Sequence, residues 1–167
     1  MKEIKISSGN KQEIYSEILP QCESLIKGEN ELISLLSNFT AILKQAFSSF
    51  SWVGFYLLKN EKLILGPFQG RVACSQIEIG KGVCGTTVQT RETIIVDDVE
   101  KFPGHIACDS GSRSEIVIPI ILRGNIFGVL DIDSYNQSNF NLIDKDNLEK
   151  LCYILAERIS NLEYSKI

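Results

Sequence analysis

The sequence predicts an α+β domain with an antiparallel sheet and helices packed on one face. Three observations carry this reading. Apolar residues recur at helical spacing up to Phe47 and again beyond Asn141. Between those stretches the period falls to two. Most strand candidates follow one another through short turns.

Residues 11–47 read as two helices. Ile14, Ile18, Cys22, Leu25 and Ile26 form one apolar stripe, and Leu32, Leu36, Phe39, Leu43 and Phe47 form another, with Gly28-Glu29-Asn30 between them. Pro20 falls inside the first pattern, where a missing N–H and a ring clash predict a kink or break. Residues 51–58 and 62–68 alternate as strands around the turn Asn60-Glu61. Short strands are expected at 73–79 and 93–96, flanking a helix over 82–90. Residues 97–114, with Pro103, Gly104 and Gly111, read as a long irregular segment, which inside a domain is usually functional. Strands at 115–122 and 126–133 meet at Arg123-Gly124-Asn125. The last element is a helix over about 142–164, striped by Leu148, Leu151, Cys152, Leu155, Ile159 and Leu162.

The 167 residues fit one domain, expected to span 1–167, and 44% apolar with 23% charged residues is the composition of a chain that folds. The net charge of -4 comes with scattered Lys and Arg, so nucleic acid and anionic membranes are not expected partners. The N-terminus lacks a signal-peptide apolar run and no stretch has the length of a membrane span, so a cytoplasmic location is expected. Five cysteines without an export signal read as a reduced intracellular protein.

Cys22 and Cys152 lie on apolar helix stripes and read as packing residues. Cys74, Cys84 and Cys108 fall at turns or element ends in the irregular central third, places that expose a thiol and can lower its pKa. With His105 near Cys108, three thiols could instead hold zinc, but no close C-x2-C pair is present, which argues against a structural zinc site. His105 reads as a loop hydrogen-bonding residue. Asp131 and Asp133 share a strand face, a costly pairing unless a proton or cation compensates it. A three-residue turn, 123–125, would place Glu115 opposite Asp133; a two-residue turn at Gly124-Asn125 would send it to the other face unless a bulge intervenes. A solvated strand end is the alternative for this cluster. Trp52 and Tyr56 share a face across Gly54, either as core packing or as two aromatics bounding a gap.

The segments 51–56 (Ser-Trp-Val-Gly-Phe-Tyr), 66–70 (Gly-Pro-Phe-Gln-Gly), 80–85 (Gly-Lys-Gly-Val-Cys-Gly), 102–109 (Phe-Pro-Gly-His-Ile-Ala-Cys-Asp), 112–117 (Ser-Arg-Ser-Glu-Ile-Val) and 128–134 (Gly-Val-Leu-Asp-Ile-Asp-Ser) together resemble the free methionine-(R)-sulfoxide reductases. The resemblance implies a GAF fold with a six-stranded antiparallel sheet, usually in a homodimer. By motif it implies Cys108 as nucleophile, Cys74 as main resolving cysteine and Cys84 as an additional thiol able to form an alternative disulfide. Glu115, Asp131 and Asp133 match acidic substrate-binding residues, and Trp52 and Tyr56 match pocket aromatics.

The implied chemistry accounts for each cluster. A sulfoxide sulfur is electrophilic, but its oxygen leaves only when protonated, so a thiolate and an acid are needed together. Cys108 would attack sulfur while Glu115 protonates oxygen; Cys74 would then convert the sulfenic acid to a disulfide, recycled by a thioredoxin-like donor. Asp131 and Asp133 would bind the substrate ammonium, and Trp52 and Tyr56 the methyl end. No bound cofactor or metal is expected beyond that external thiol. The rival reading is a non-catalytic, small-ligand-sensing GAF module. A sensor is expected to accompany an output domain and has no use for three pocket thiols.

Overall fold

In the computed structural model, residues 4–6 and 9–162 are described. The chain forms α1 (Lys11–Gly28), α2 (Leu32–Ala46), β1 (Trp52–Lys59), β2 (Lys62–Gln69), β3 (Gln76–Glu78), α3 (Gly82–Thr90), β4 (Ile94–Val96), β5 (Ser114–Leu122), β6 (Asn125–Ser134) and α4 (Leu142–Asn161). The sheet order is β3-β2-β1-β6-β5-β4 and every pairing is antiparallel. The α+β class and the six-stranded antiparallel sheet are as expected.

Local chemistry sets the helix starts. Asn10 and Glu13 form a reciprocal capping box on α1, and Asn141 and Asp144 form one on α4. The expected break at Pro20 does not occur, and α1 runs through it. Pro20 and Ser16, whose carbonyl loses its helical partner, both lie on the exposed face, so the orphaned acceptor is not sealed in the core. Residues 97–114 are not wholly irregular, since Val99–Lys101 forms a 3-10 turn capped by Asp98. The strand expected at 73–79 shortens to β3, and residues 163–164 of the last predicted helix lie outside the described residues.

The decisive register is that of β5 and β6. Leu122 pairs with Asn125, so the turn has two residues, Arg123 and Gly124, with φ of 49° and 84°. That double positive φ matches the right-handed twist of a hairpin. Neither turn weighed from the sequence forms. A bulge between Ile120 and Ile121 restores the parity, and Glu115 pairs with Asp133.

The alternation gives the sheet two unlike faces. Val53, Phe55, Ile116, Ile118, Leu130 and Ile132 pack with the buried stripes of α1, α2 and α4 into the larger core, which also takes in Cys22 and Cys152. Trp52, Tyr56, Val117 and Val129 face the other way, against Val83 and Val88 of α3 and the connecting loops. The helices therefore lie mainly on one face, and the loops on the other. Among the described residues, no helix is long and apolar enough to cross a membrane.

Candidate active site

Three central strands place the site on the loop-covered face. β6 pairs Asp133 with Trp52 of β1 and with Glu115 of β5, and pairs Asp131 with Gly54 and Val117. Residues two apart share a face, so Glu115, Asp131, Asp133, Trp52 and Tyr56 line one cavity of about 40 Å³. Its remaining walls are the start of α3, with Cys84, and two loops that carry Cys74 and Cys108. All eight residues singled out from the sequence converge there, except that Cys74 itself closes the rim: Ala73 lines the wall and Cys74 is disulfide-bonded to Cys108.

The aromatics hold a loop as well as a wall. Trp52 Nε1 donates to the Arg71 carbonyl and Tyr56 Oη to the Cys74 carbonyl, both at 3.0 Å. The gap expected over Gly54 is filled. A β-carbon there would come within 2.2 Å of Trp52 Cη2. Glycine lets the indole fold down between Tyr56 and Phe68, with ring centroids 6.0 and 5.3 Å away.

Glu115 and Asp131 are only 6% and 7% exposed. Burial, then the charges of Asp131 and Asp133, push the Glu115 carboxyl well above its ordinary range. Burial raises Asp131 to about 6, against the opposing pull of hydrogen bonds from Cys84 and Glu115. Burial and Asp131 raise Asp133 as well. Among the described residues, none of the three pairs with a Lys or Arg. His105 Nε2 stands 3.8 Å from Glu115 Oε2. Burial lowers the His105 pKa and raises that of Glu115, and both shifts work against an ion pair at this contact.

Cys84 corrects the sequence reading. It was expected at an exposed element end with a lowered pKa, yet it is 3% exposed. Burial first, then Asp131 and Glu115, push its thiol well up. Its place in the first turn of α3 does not offset that burial.

Sequence reasoning also passed over Ser112 and Asp109. Ser112 lines the cavity, is 4% exposed, and hydrogen-bonds the Asp133 carboxyl, drawing its pKa down against burial; Asp131 Oδ1 is buried without a partner. Asp109 links the neighbouring segments: it accepts from Tyr135 Oη at 2.8 Å and from the Gly111 N–H at 2.9 Å, with the Arg71 guanidinium 3.8 Å away. Both stood inside quoted motifs, but a Ser or Asp in a loop is common and carries no period to flag it.

Comparison with known proteins extends this geometry. The GAF domain family matches residues 29–160. GAF domain-containing protein A of Dictyostelium discoideum is 52% identical over 155 residues, covering 92% of this chain and 98% of that protein. The free methionine-R-sulfoxide reductase of Saccharomyces cerevisiae is 46% identical over 157 residues, covering 89% of this chain and 87% of its own. The X-ray structure of free methionine-R-sulfoxide reductase from Neisseria meningitidis in complex with its substrate matches with a TM-score of 0.92, at 43% identity and 95% coverage of both chains. The chain belongs to the free methionine-R-sulfoxide reductase family. In this reductase family member, the thiols and the buried acids meet at one small cavity on the loop side of a GAF sheet.

Proposed function

We propose that the protein reduces free methionine-(R)-sulfoxide to methionine, with Cys108 as nucleophile and Glu115 as acid. The observation that carries the reading is the meeting, at one cavity, of a cysteine already paired with a second thiol and a buried carboxyl whose pKa burial and neighbouring acids raise. The Cys108 thiolate attacks the sulfoxide sulfur as Glu115 protonates the oxygen. The S–O bond breaks, the oxygen passes to the cysteine, and methionine leaves. Cys108 is then a sulfenic acid. The Cys74 thiol displaces water from it to form the disulfide, and a thioredoxin-like dithiol returns two electrons by exchange. Cys84 is the additional thiol, available for an alternative disulfide.

Asp131 and Asp133 bind the substrate ammonium, whose charge compensates theirs, while Trp52 and Tyr56 enclose the methyl end. A cavity of about 40 Å³, closed at its rim by the disulfide, has room for a few waters and is small for an amino acid. Substrate therefore enters once reduction has released Cys108 from Cys74 and the two loops can part. The protein works in the cytoplasm as a homodimer and needs no bound cofactor beyond the external thiol.

The test is to incubate reduced protein with each sulfoxide epimer and dithiothreitol and measure methionine. Release from the R epimer alone is expected, and release from neither ends the enzyme reading. Cys74→Ser should give a burst of about one equivalent per chain and then slow recycling by thioredoxin at most, through Cys84, and Cys74→Ser/Cys84→Ser should give the burst alone. Cys108→Ser should give no burst, and continued turnover would move the nucleophile elsewhere.

A further inference from the structure

We propose that the floor of the cavity is also a binding site for one zinc-class divalent cation, held by Cys84, Glu115 and Asp131, where the metal acts as a reversible inhibitor. One donor atom from each, Sγ and two carboxylate oxygens, lies within 4.8 Å of the others, and all three residues are buried. The ligands come from α3, β5 and β6, three elements fixed by the two-faced sheet. The donors are therefore positioned by the fold and not by a loop.

Two further observations point to a ligand. Asp131 Oδ1 is buried without a hydrogen-bond partner, and the residue lines this cavity. A buried oxygen normally has a partner, so this orphan at the cavity is an acceptor awaiting one. In addition, among the described residues no Lys or Arg neutralises Glu115, Asp131 or Asp133. The cavity of about 40 Å³ has room for an ion and water beside it.

Donor chemistry selects the ion. A metal must displace the Cys84 and Glu115 protons, and the one thiolate and two carboxylates that result are too few and too soft for calcium, while magnesium keeps several waters and prefers oxygen. Zinc takes sulfur and oxygen together in a four-coordinate set. With Zn–S near 2.3 Å and Zn–O near 2.1 Å, tetrahedral ligands stand roughly 3.5 Å apart. Side-chain shifts on the order of 1 Å close the set. His105, whose Nε2 is 3.8 Å from Glu115 Oε2, lines the same cavity outside this three-donor group, which leaves the fourth position to water. This is not the paired-cysteine zinc site that the sequence spacing argued against, since only one of its ligands is a cysteine.

Binding does not depend on the reductase reading, whereas inhibition rests on it. With Glu115 and Asp131 committed to the metal, the proton donor and an ammonium binder are both lost to substrate.

The oxidised protein isolates the thiol in question, because Cys74 and Cys108 are joined and the other free cysteines, Cys22 and Cys152, lie in the core on the far side of the sheet. Cobalt(II) titrated into it should give a near-ultraviolet thiolate-to-metal charge-transfer band saturating at one ion per chain and displaced by zinc. The Cys74→Ser/Cys108→Ser double variant, which keeps Cys84 and lacks the crosslink, should show the same band. The band should vanish in Cys84→Ser, and cobalt affinity should fall tenfold or more in Asp131→Asn and in Glu115→Gln. Absence of the band from both the oxidised protein and the double variant, its persistence in Cys84→Ser, or undiminished affinity in both carboxylate variants overturns the site. If Cys84→Ser does not fold, the carboxylate variants decide alone. In the reduced enzyme, assayed with a phosphine reductant that leaves zinc free, the ion should raise KM for the sulfoxide at constant kcat. A cobalt band together with an unmoved KM overturns the inhibition and leaves the binding site standing.

Discussion

Buried carboxylates occur on both sides of this sheet, and they are treated in opposite ways. On the helix side, Asp144 is fully buried. It accepts from Lys11 Nζ at 2.5 Å, from Tyr15 Oη at 3.0 Å and from the Asn141 N–H at 2.9 Å. It joins α1 to the start of α4. On the loop side, Glu115, Asp131 and Asp133 crowd together without a Lys or Arg, and Asp131 Oδ1 has no partner among the described residues. A buried acid that serves the fold has its lone pairs met and its charge paired. One that serves chemistry is left for something else to complete.

The sharpest way to break this contrast is to neutralise one acid on each side. Glu115→Gln should slow kcat by about 10²–10⁴-fold with little change in KM, while its urea midpoint holds or rises. An unchanged rate would remove Glu115 from the chemistry. Asp144→Ala should do the reverse, costing about 3 kcal/mol in urea unfolding while folded protein keeps its specific activity, because it strands a partly buried Lys11 and the Tyr15 hydroxyl.

The third expectation concerns pH. Asp131 is raised from 3.8 to about 6 on folding, and Glu115 and Asp133 are raised too. Such a carboxyl binds its proton more tightly folded than unfolded. Its contribution is therefore complete below about pH 4 and is lost as pH climbs through about 6. Asp131→Asn should thus gain on the wild type by roughly 1–2 kcal/mol between pH 5 and pH 7 in urea midpoints. A difference that does not vary with pH would show that Asp131 is not raised. The smallest effect is expected for Tyr15→Phe, about 1 kcal/mol for one lost hydrogen bond, read from the same midpoints with turnover intact.

The helix-side acid and the loop-side acids also differ in how far the sequence revealed them. Asp131 and Asp133 stood out because a period of two cannot hide a pair of charges on one strand face. Glu115 joined them only through strand register, and the sequence left its parity open. The answer lay in a two-residue turn offset by a bulge, which no local residue preference announces. Asp144 has no period or motif to mark it in the sequence, and only tertiary packing makes it a junction. The helices and hairpins were legible because burial imposes their periods; that α1 continues unbroken through Pro20 was not, because the exposed placement of Pro20 is a tertiary fact. Cys84 misled for the same reason: position in a short helix said nothing about what covers it. The loop thiols were legible as a group, since three cysteines in irregular chain have little packing role, but their roles came from resemblance to a family.

Trp52 and Tyr56 do not only face the cavity; their polar tips hold the backbone carbonyls of Arg71 and Cys74. The wall that would judge a substrate's shape and the strand of chain that would restore the spent sulfur are thus one mechanical part. An engineer who widens that wall to admit a bulkier sulfoxide will also loosen the anchor of the restoring thiol, so selectivity and turnover number must be retuned together.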